Sequence, residues 1–166
     1  MAEKDMVIKE KVESSGLFNF SSFYSFAHTW FRDENYGVME ERYIEKVSGS
    51  SRDLLIEWVA TKFLSDYFKI EQKIKFEVKG LTEVEVEIDG QRKKMNKGSV
   101  MVEVKGTLVM DHLSKWDINP TYKFMRSIYN KYIIPTRIDN MQDKVRGDVR
   151  DFKEQLKAFL ELSGKR

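Results

Sequence analysis

Chemistry in a polypeptide needs nucleophiles, metal ligands or acid–base pairs at usable spacings, and this sequence offers few. It has no cysteine, which removes thiolate catalysis, disulfides and Cys-ligated zinc. The two histidines, His28 and His112, lie far apart in the chain, so a metal site would have to recruit carboxylates from elsewhere. There is no glycine-rich phosphate loop, no nucleophile elbow and no His/Glu pair at metal-binding spacing. Carboxylates are abundant, but an ionisable group doing acid–base work needs its pKa shifted by burial. The alternation described below assigns most of them to a wet face instead. Lys62, Arg42 and Glu40 are the strand residues that share position parity with apolar neighbours, and a strand end or edge accounts for each without chemistry. Asp111, His112 and Trp116 gather where the last strand hands over to helix, either as a functional cluster or as a capping and packing group. No residue is assigned as catalytic or metal-binding, and no cofactor is expected.

Two further features carry binding chemistry. The run "QRKKMNK" (Gln91 to Lys97) could neutralise phosphates. No aromatics interleave with its charges to stack bases, and the neighbouring Glu83 to Asp89 is acidic, so a solvated hairpin is the competing reading and nucleic acid is not expected. The aromatic set Phe18, Phe20, Phe23, Tyr24, Phe26, Trp30, Phe31 and Tyr36 either lines a pocket or forms core. Phe18 and Phe26 sit near the edge of its stripe.

The elements that must position these residues follow from periodicity. A chain of 166 residues, 41% hydrophobic and 34% charged with net charge +2, fits one globular domain. The opening "MAEKDMVIKEKVE" has no apolar leader, no window is long and apolar enough to span a membrane, and a cytoplasmic location is expected. Met6 to Val12 reads as a first strand ended by "ESSG". Asn19 caps a helix with apolar residues at Phe20, Phe23, Tyr24, Ala27, Trp30 and Phe31, ended by Gly37. Val38 to Val47 is a second strand. Leu54, Ile56, Trp58 and Ala60 give the next strand an apolar face.

In "KIEQKIKFEVK" (Lys69 to Lys79) charges occupy the odd positions and apolar residues almost every even one. A turn at Gly80-Leu81-Thr82 would fold this strand onto Glu83 to Asp89, with Lys79 opposite Glu83 and Lys75 opposite Glu87. Ile74, Phe76, Val78, Val84 and Val86 would then share one face. Further turns are expected at Asp89-Gly90 and at Asn96 to Gly98, before a strand Ser99 to Met110 interrupted by Gly106, a bulge or bend signal. From Asn119-Pro120 onward the spacing is helical, with an apolar seam through Met125, Ile128, Tyr132, Ile138, Met141, Val145, Val149, Phe152, Leu156 and Phe159. Pro135 predicts a kink or break in the helical region 119–163.

This order of strand, helix, antiparallel meander and long C-terminal helix resembles the helix-grip superfamily of START domains, pollen-allergen-like proteins and polyketide cyclases. The chain also resembles small archaeal proteins of no assigned activity. It departs from the superfamily in having one continuous helix after the first strand and a longer C-terminal helical region. The resemblance implies an α+β fold in which a curved antiparallel sheet grips the last helix, often around an apolar cavity that takes lipids or other hydrophobic molecules. The positions that would line such a cavity are Trp30, Ile56, Trp58, Phe76, Val86, Val102, Val149, Phe152 and Leu156. The leading expectation is non-catalytic binding of a hydrophobic small molecule or lipid. The alternatives are a homo-oligomer or protein partner held by the long C-terminal helix, and a cyclase-type cavity enzyme.

Overall fold

Strict alternation makes strands with one buried face, and a computed structural model, describing residues 3–111, 119–133 and 135–164, shows how they assemble. The elements run β1 (Glu3–Phe18), α1 (Phe20–Asp33), β2 (Gly37–Ser48), β3 (Ser51–Phe63), β4 (Phe68–Ile88), β5 (Gln91–Met110), α2 (Pro120–Ile128), a π-helical turn (Tyr129–Ile133) and α3 (Pro135–Gly164). The fold is α+β. Its strands form one antiparallel sheet in the order β1-β5-β4-β3-β2, with α3 and α1 on one face.

The even positions of β3, β4 and β5 form that face. Leu54, Ile56, Trp58, Ala60, Ile70, Ile74, Phe76, Val78, Val100, Val102 and Val104 are all buried. They meet Val145, Val149, Phe152, Leu156 and Leu160 of α3 and Phe23, Ala27 and Phe31 of α1. The opposite face stays wet. One row across it, Lys11, Glu103, Lys75, Glu57 and Arg42, alternates in sign through all five strands, an arrangement that favours this register over a like-charged one.

Several expected boundaries move. The turn at Gly80 to Thr82 is a bulge: β4 continues for 21 residues, its register against β5 shifts between Lys79 and Thr82, and Gly80 takes φ 64°. A positive-φ glycine serves a bulge as well as a turn, and alternation on both sides suits one long strand as well as two. Glu85 and Glu87 therefore face Lys94 and Arg92 instead of residues of their own strand. The "NKG" segment lies inside β5. The first strand passes straight through "ESSG" to Phe18. Helix α1 ends at Asp33, and the left-handed residue that turns the chain is Asn35, φ 66°, leaving Gly37 to open β2.

Gly106 takes no positive φ. The bulge is across from it in β1, where the register shifts between Met6 and Ile8. That shift lets Asp5 and Glu10, of opposite parity, both reach α3, accepting hydrogen bonds from Gln142 (2.6 Å) and Lys153 (3.0 Å). In the helical region α2 and the π turn precede Pro135, and α3 begins at Pro135. His112 and Trp116 lie outside the described residues.

Candidate functional site

The positions expected to line a cavity are mostly deep in the core. Ile56, Trp58, Phe76, Val102, Val149, Phe152 and Leu156 are at most 1% exposed. Their rings touch one another and α1: Phe31 to Phe152 at 4.5 Å, Trp58 to Phe76 at 4.8 Å and Trp30 to Phe152 at 5.0 Å between centroids. Trp30 is half-buried, its indole donating to Asp151. These side chains fill the space between sheet and helix with each other. Val86 is not among them. It stands on the β4–β5 hairpin, beyond the end of β3, half-buried and opposite Lys93.

The residues weighed for chemistry also separate. Glu40 accepts hydrogen bonds from the Tyr24 hydroxyl (2.8 Å) and the Trp58 indole (3.2 Å). These fix an edge of the core. A register shift between Glu40 and Arg42 turns Arg42 to the wet face, 3.7 Å from Glu57. Lys62 places its ammonium 5.4 Å from the centre of the Tyr36 ring. His28 is exposed on α1 with its ring against Trp58.

Buried polar chemistry is found where the alternation breaks. Gln72, the one uncharged polar residue in the even positions of "KIEQKIKFEVK", is fully buried. It lies near the Tyr36 phenol and works against the rise of that group's pKa, yet its amide makes no hydrogen bond among the described residues. Tyr36 donates to Asp148 of α3 at 2.6 Å, and Lys144 approaches the same carboxylate at 3.3 Å. Burial, then the bond to Asp148, holds the Tyr36 proton far above its ordinary range. The pair holds a proton tightly, which suits structure better than proton transfer.

Just past the end of the last strand, Asp111 is 2% exposed and adopts φ 53°. Arg126 of α2 reaches it at 3.3 Å and Glu3 at 3.7 Å. Asn130 donates to Glu3 at 2.9 Å and accepts from the Tyr67 hydroxyl at 2.5 Å. Tyr67 is pushed up to about 12, mainly by burial. This network ties the two chain ends of the sheet to α2.

One of the open volumes with a mixed lining is elsewhere again. A cleft of about 410 Å³ lies between the β4–β5 hairpin and the ends of α1 and α3, lined by Asn19, Ser22, Ile88, Lys93, Lys94, Met95, Phe159, Leu162 and Ser163. Its walls are positioned locally. The Asn19 side chain caps α1 by accepting from Ser22 N–H at 2.9 Å. Asn96 of β5 accepts from Phe20 N–H at 2.9 Å, fastening the hairpin to the start of the helix. Phe159 stacks on Phe26 at 4.9 Å and meets Phe23 at 6.2 Å, so the floor is continuous with the aromatic core. Phe18, expected at the edge of the stripe, is 3% exposed and packs edge-on to Phe23.

Charge in this cleft is one-sided. Among the described residues its lining holds two lysines and no acidic residue. Lys93 stands opposite Val86, while Lys94 stands opposite Glu85, which is paired instead with Arg92 at 3.7 Å. Sequence reading reached the pieces separately, as the basic run and as Phe159 of the seam. It did not bring Ile88 and Met95 to α3, because the additional turn expected at Gly80 to Thr82 folded Glu83 to Asp89 back onto its own strand, and it did not include Leu162, which lies past the last position of the seam. No family model matches this chain, and comparison with curated proteins and with solved structures gives no match.

Proposed function

We propose that this chain is a non-catalytic binder of hydrophobic small molecules on a helix-grip scaffold, and that its ligand is an anionic amphiphile of the fatty-acyl kind. The observation that carries the reading is the cleft of about 410 Å³, with Ile88, Met95, Phe159 and Leu162 in its lining and Lys93 on the same face of the hairpin as Ile88 and Met95. Small-molecule sites run to roughly 300–1,000 Å³, apolar with a few fixed polar groups. An acyl chain against the floor is driven by area removed from water. A carboxylate there would meet Lys93, with no acid among the described residues of the lining to compete. Pairing of the first strand with the last, beneath a long C-terminal helix, supports the helix-grip reading. On this reading the ligand lies at the mouth of the grip, which the burial of Ile56, Phe76, Val102, Val149 and Phe152 favours over the middle of the helix.

Titration with dansyl-undecanoic acid tests this. The expected result is saturable fluorescence enhancement, reversed by dodecanoate and more weakly by dodecanol. Leu162 is 64% exposed, so Leu162→Asp leaves folding intact while lowering affinity about tenfold, a change of about 1.4 kcal/mol. Equal affinity in Leu162→Asp and the parent, or no uptake by either, would sink the proposal.

A further inference from the structure

An amphipathic helix ordinarily turns its apolar stripe to the core; α2 does the reverse. Its polar side chains face the body: Arg126 is held by Asp111 and Glu3, and Asn130, in the following turn, by Glu3 and Tyr67. Its apolar side chains face outward, with Phe124 66%, Ile128 38% and Tyr132 68% exposed at a spacing of four, and Met125 46% exposed beside them. No residue of α2 is buried. Ion pairs and hydrogen bonds thus fix a short apolar ridge in water, which leaves it available to something else.

Charge identifies that something. Residues 119–138 contain Lys123, Arg126, Lys131 and Arg137 and not one acidic residue, in a protein whose whole net charge is +2. Of these, Lys123 and Lys131 are exposed next to the ridge, and Lys131 lies 5.4 Å from the Tyr132 ring centre. Aromatic and aliphatic side chains flanked by lysines are what an interfacial helix presents to acyl chains and anionic headgroups, and tyrosine favours that boundary. A protein partner of ordinary affinity needs about 20 to 30 residues a side, more than one short helix supplies. No helix among the described residues is long and apolar enough to cross a membrane, so this contact would lie on the bilayer surface.

We propose that α2 and its π turn dock this protein onto bilayers rich in anionic lipid. The surface is separate from the ligand cleft, which lies at the far end of α3, roughly 35 Å away at 1.5 Å per residue. The proposal therefore stands without the cleft.

Sedimentation of the full chain with phosphatidylcholine vesicles, with and without phosphatidylserine, tests it. The protein is expected to pellet with the mixed vesicles, to remain in solution with pure phosphatidylcholine, and to be released by high salt as the attraction is screened. Phe124→Ser with Tyr132→Ser, both at exposed positions, should lower partitioning at least about tenfold with an unchanged circular dichroism spectrum. Lys123→Glu and Lys131→Glu should each lower it roughly fivefold. Leu162→Asp should pellet like the parent. Each of the following would overturn the proposal: no binding to either vesicle, equal binding to both, binding that survives Phe124→Ser with Tyr132→Ser, loss of binding in Leu162→Asp, or a dimer in solution that Phe124→Ser dissociates while vesicles bind neither form.

Discussion

A methyl group on Gly106 would stand 2.7 Å from both Val145 Cγ1 and Val149 Cγ2. The glycine is therefore a socket for α3, and the valines that fill it are stiff β-branched residues with no room to retreat. Gly106→Ala should destabilise the fold by about 1–3 kcal/mol through overpacking, measured by chemical denaturation. Gly147 is the matched control: on the same helix, a Cβ there meets nothing within 4 Å, so Gly147→Ala should stabilise by about 1 kcal/mol from helix propensity. The sequence marked Gly106 as special but not why, because the reason lies some forty positions away in α3. Gln72 shows the same limit. Its parity was legible, while its neighbours Tyr36 and Asp148 come from other elements. Titration belongs at this scale too. Tyr24 and Tyr67 are both pushed up from 10 to about 12, chiefly by burial. The folded state favours the neutral phenol, so this contribution is complete below pH 10 and is lost as pH rises through 12. Melting temperature should fall across that window, and less steeply in Tyr67→Phe.

Among the elements, α3 and β4 carried the clearest sequence signals and met different fates. The seam from Val145 to Leu160 packs as its spacing implies, with Val145, Val149, Phe152, Leu156 and Leu160 at 5% exposure or less. The earlier seam positions Met125, Ile128 and Tyr132 are exposed instead, since α2 is anchored by its polar side. Periodicity shows that a stripe exists; which side faces the body depends on partners such as Asp111 and Glu3, which no local pattern reveals. For β4 the alternation was right and the fold-back wrong, because Glu83 to Glu87 complements the lysines of its own strand and the basic run of β5 equally well. Phe152 tests the packing of α3 directly. It touches Phe31 and Trp30, so Phe152→Trp should cost about 1–3 kcal/mol and Phe152→Ala about 3–5 kcal/mol in denaturant melts. Dansyl-undecanoate affinity should be unchanged in the Trp variant, because the ligand cleft lies beyond this ring.

At the scale of the whole molecule, α3 links two surfaces with different chemistry. At its N-terminal end the polar network of Asp111, Arg126, Glu3, Asn130 and Tyr67 holds an apolar ridge outward. At its C-terminal end Phe159 and Leu162 complete a cleft with the hairpin. Between them the aromatic core is filled, which separates this account from one with a ligand under the middle of the helix. Methyl NMR distinguishes these arrangements in one experiment. With Ile, Leu and Val methyls labelled and dodecanoate added, intermolecular NOEs are expected from the acyl chain to the methyls of Ile88 and Leu162, and none to Ile56, Val102, Val149 or Leu156. NOEs to that second set would mean that the core opens to admit the chain and would overturn the proposed place of binding.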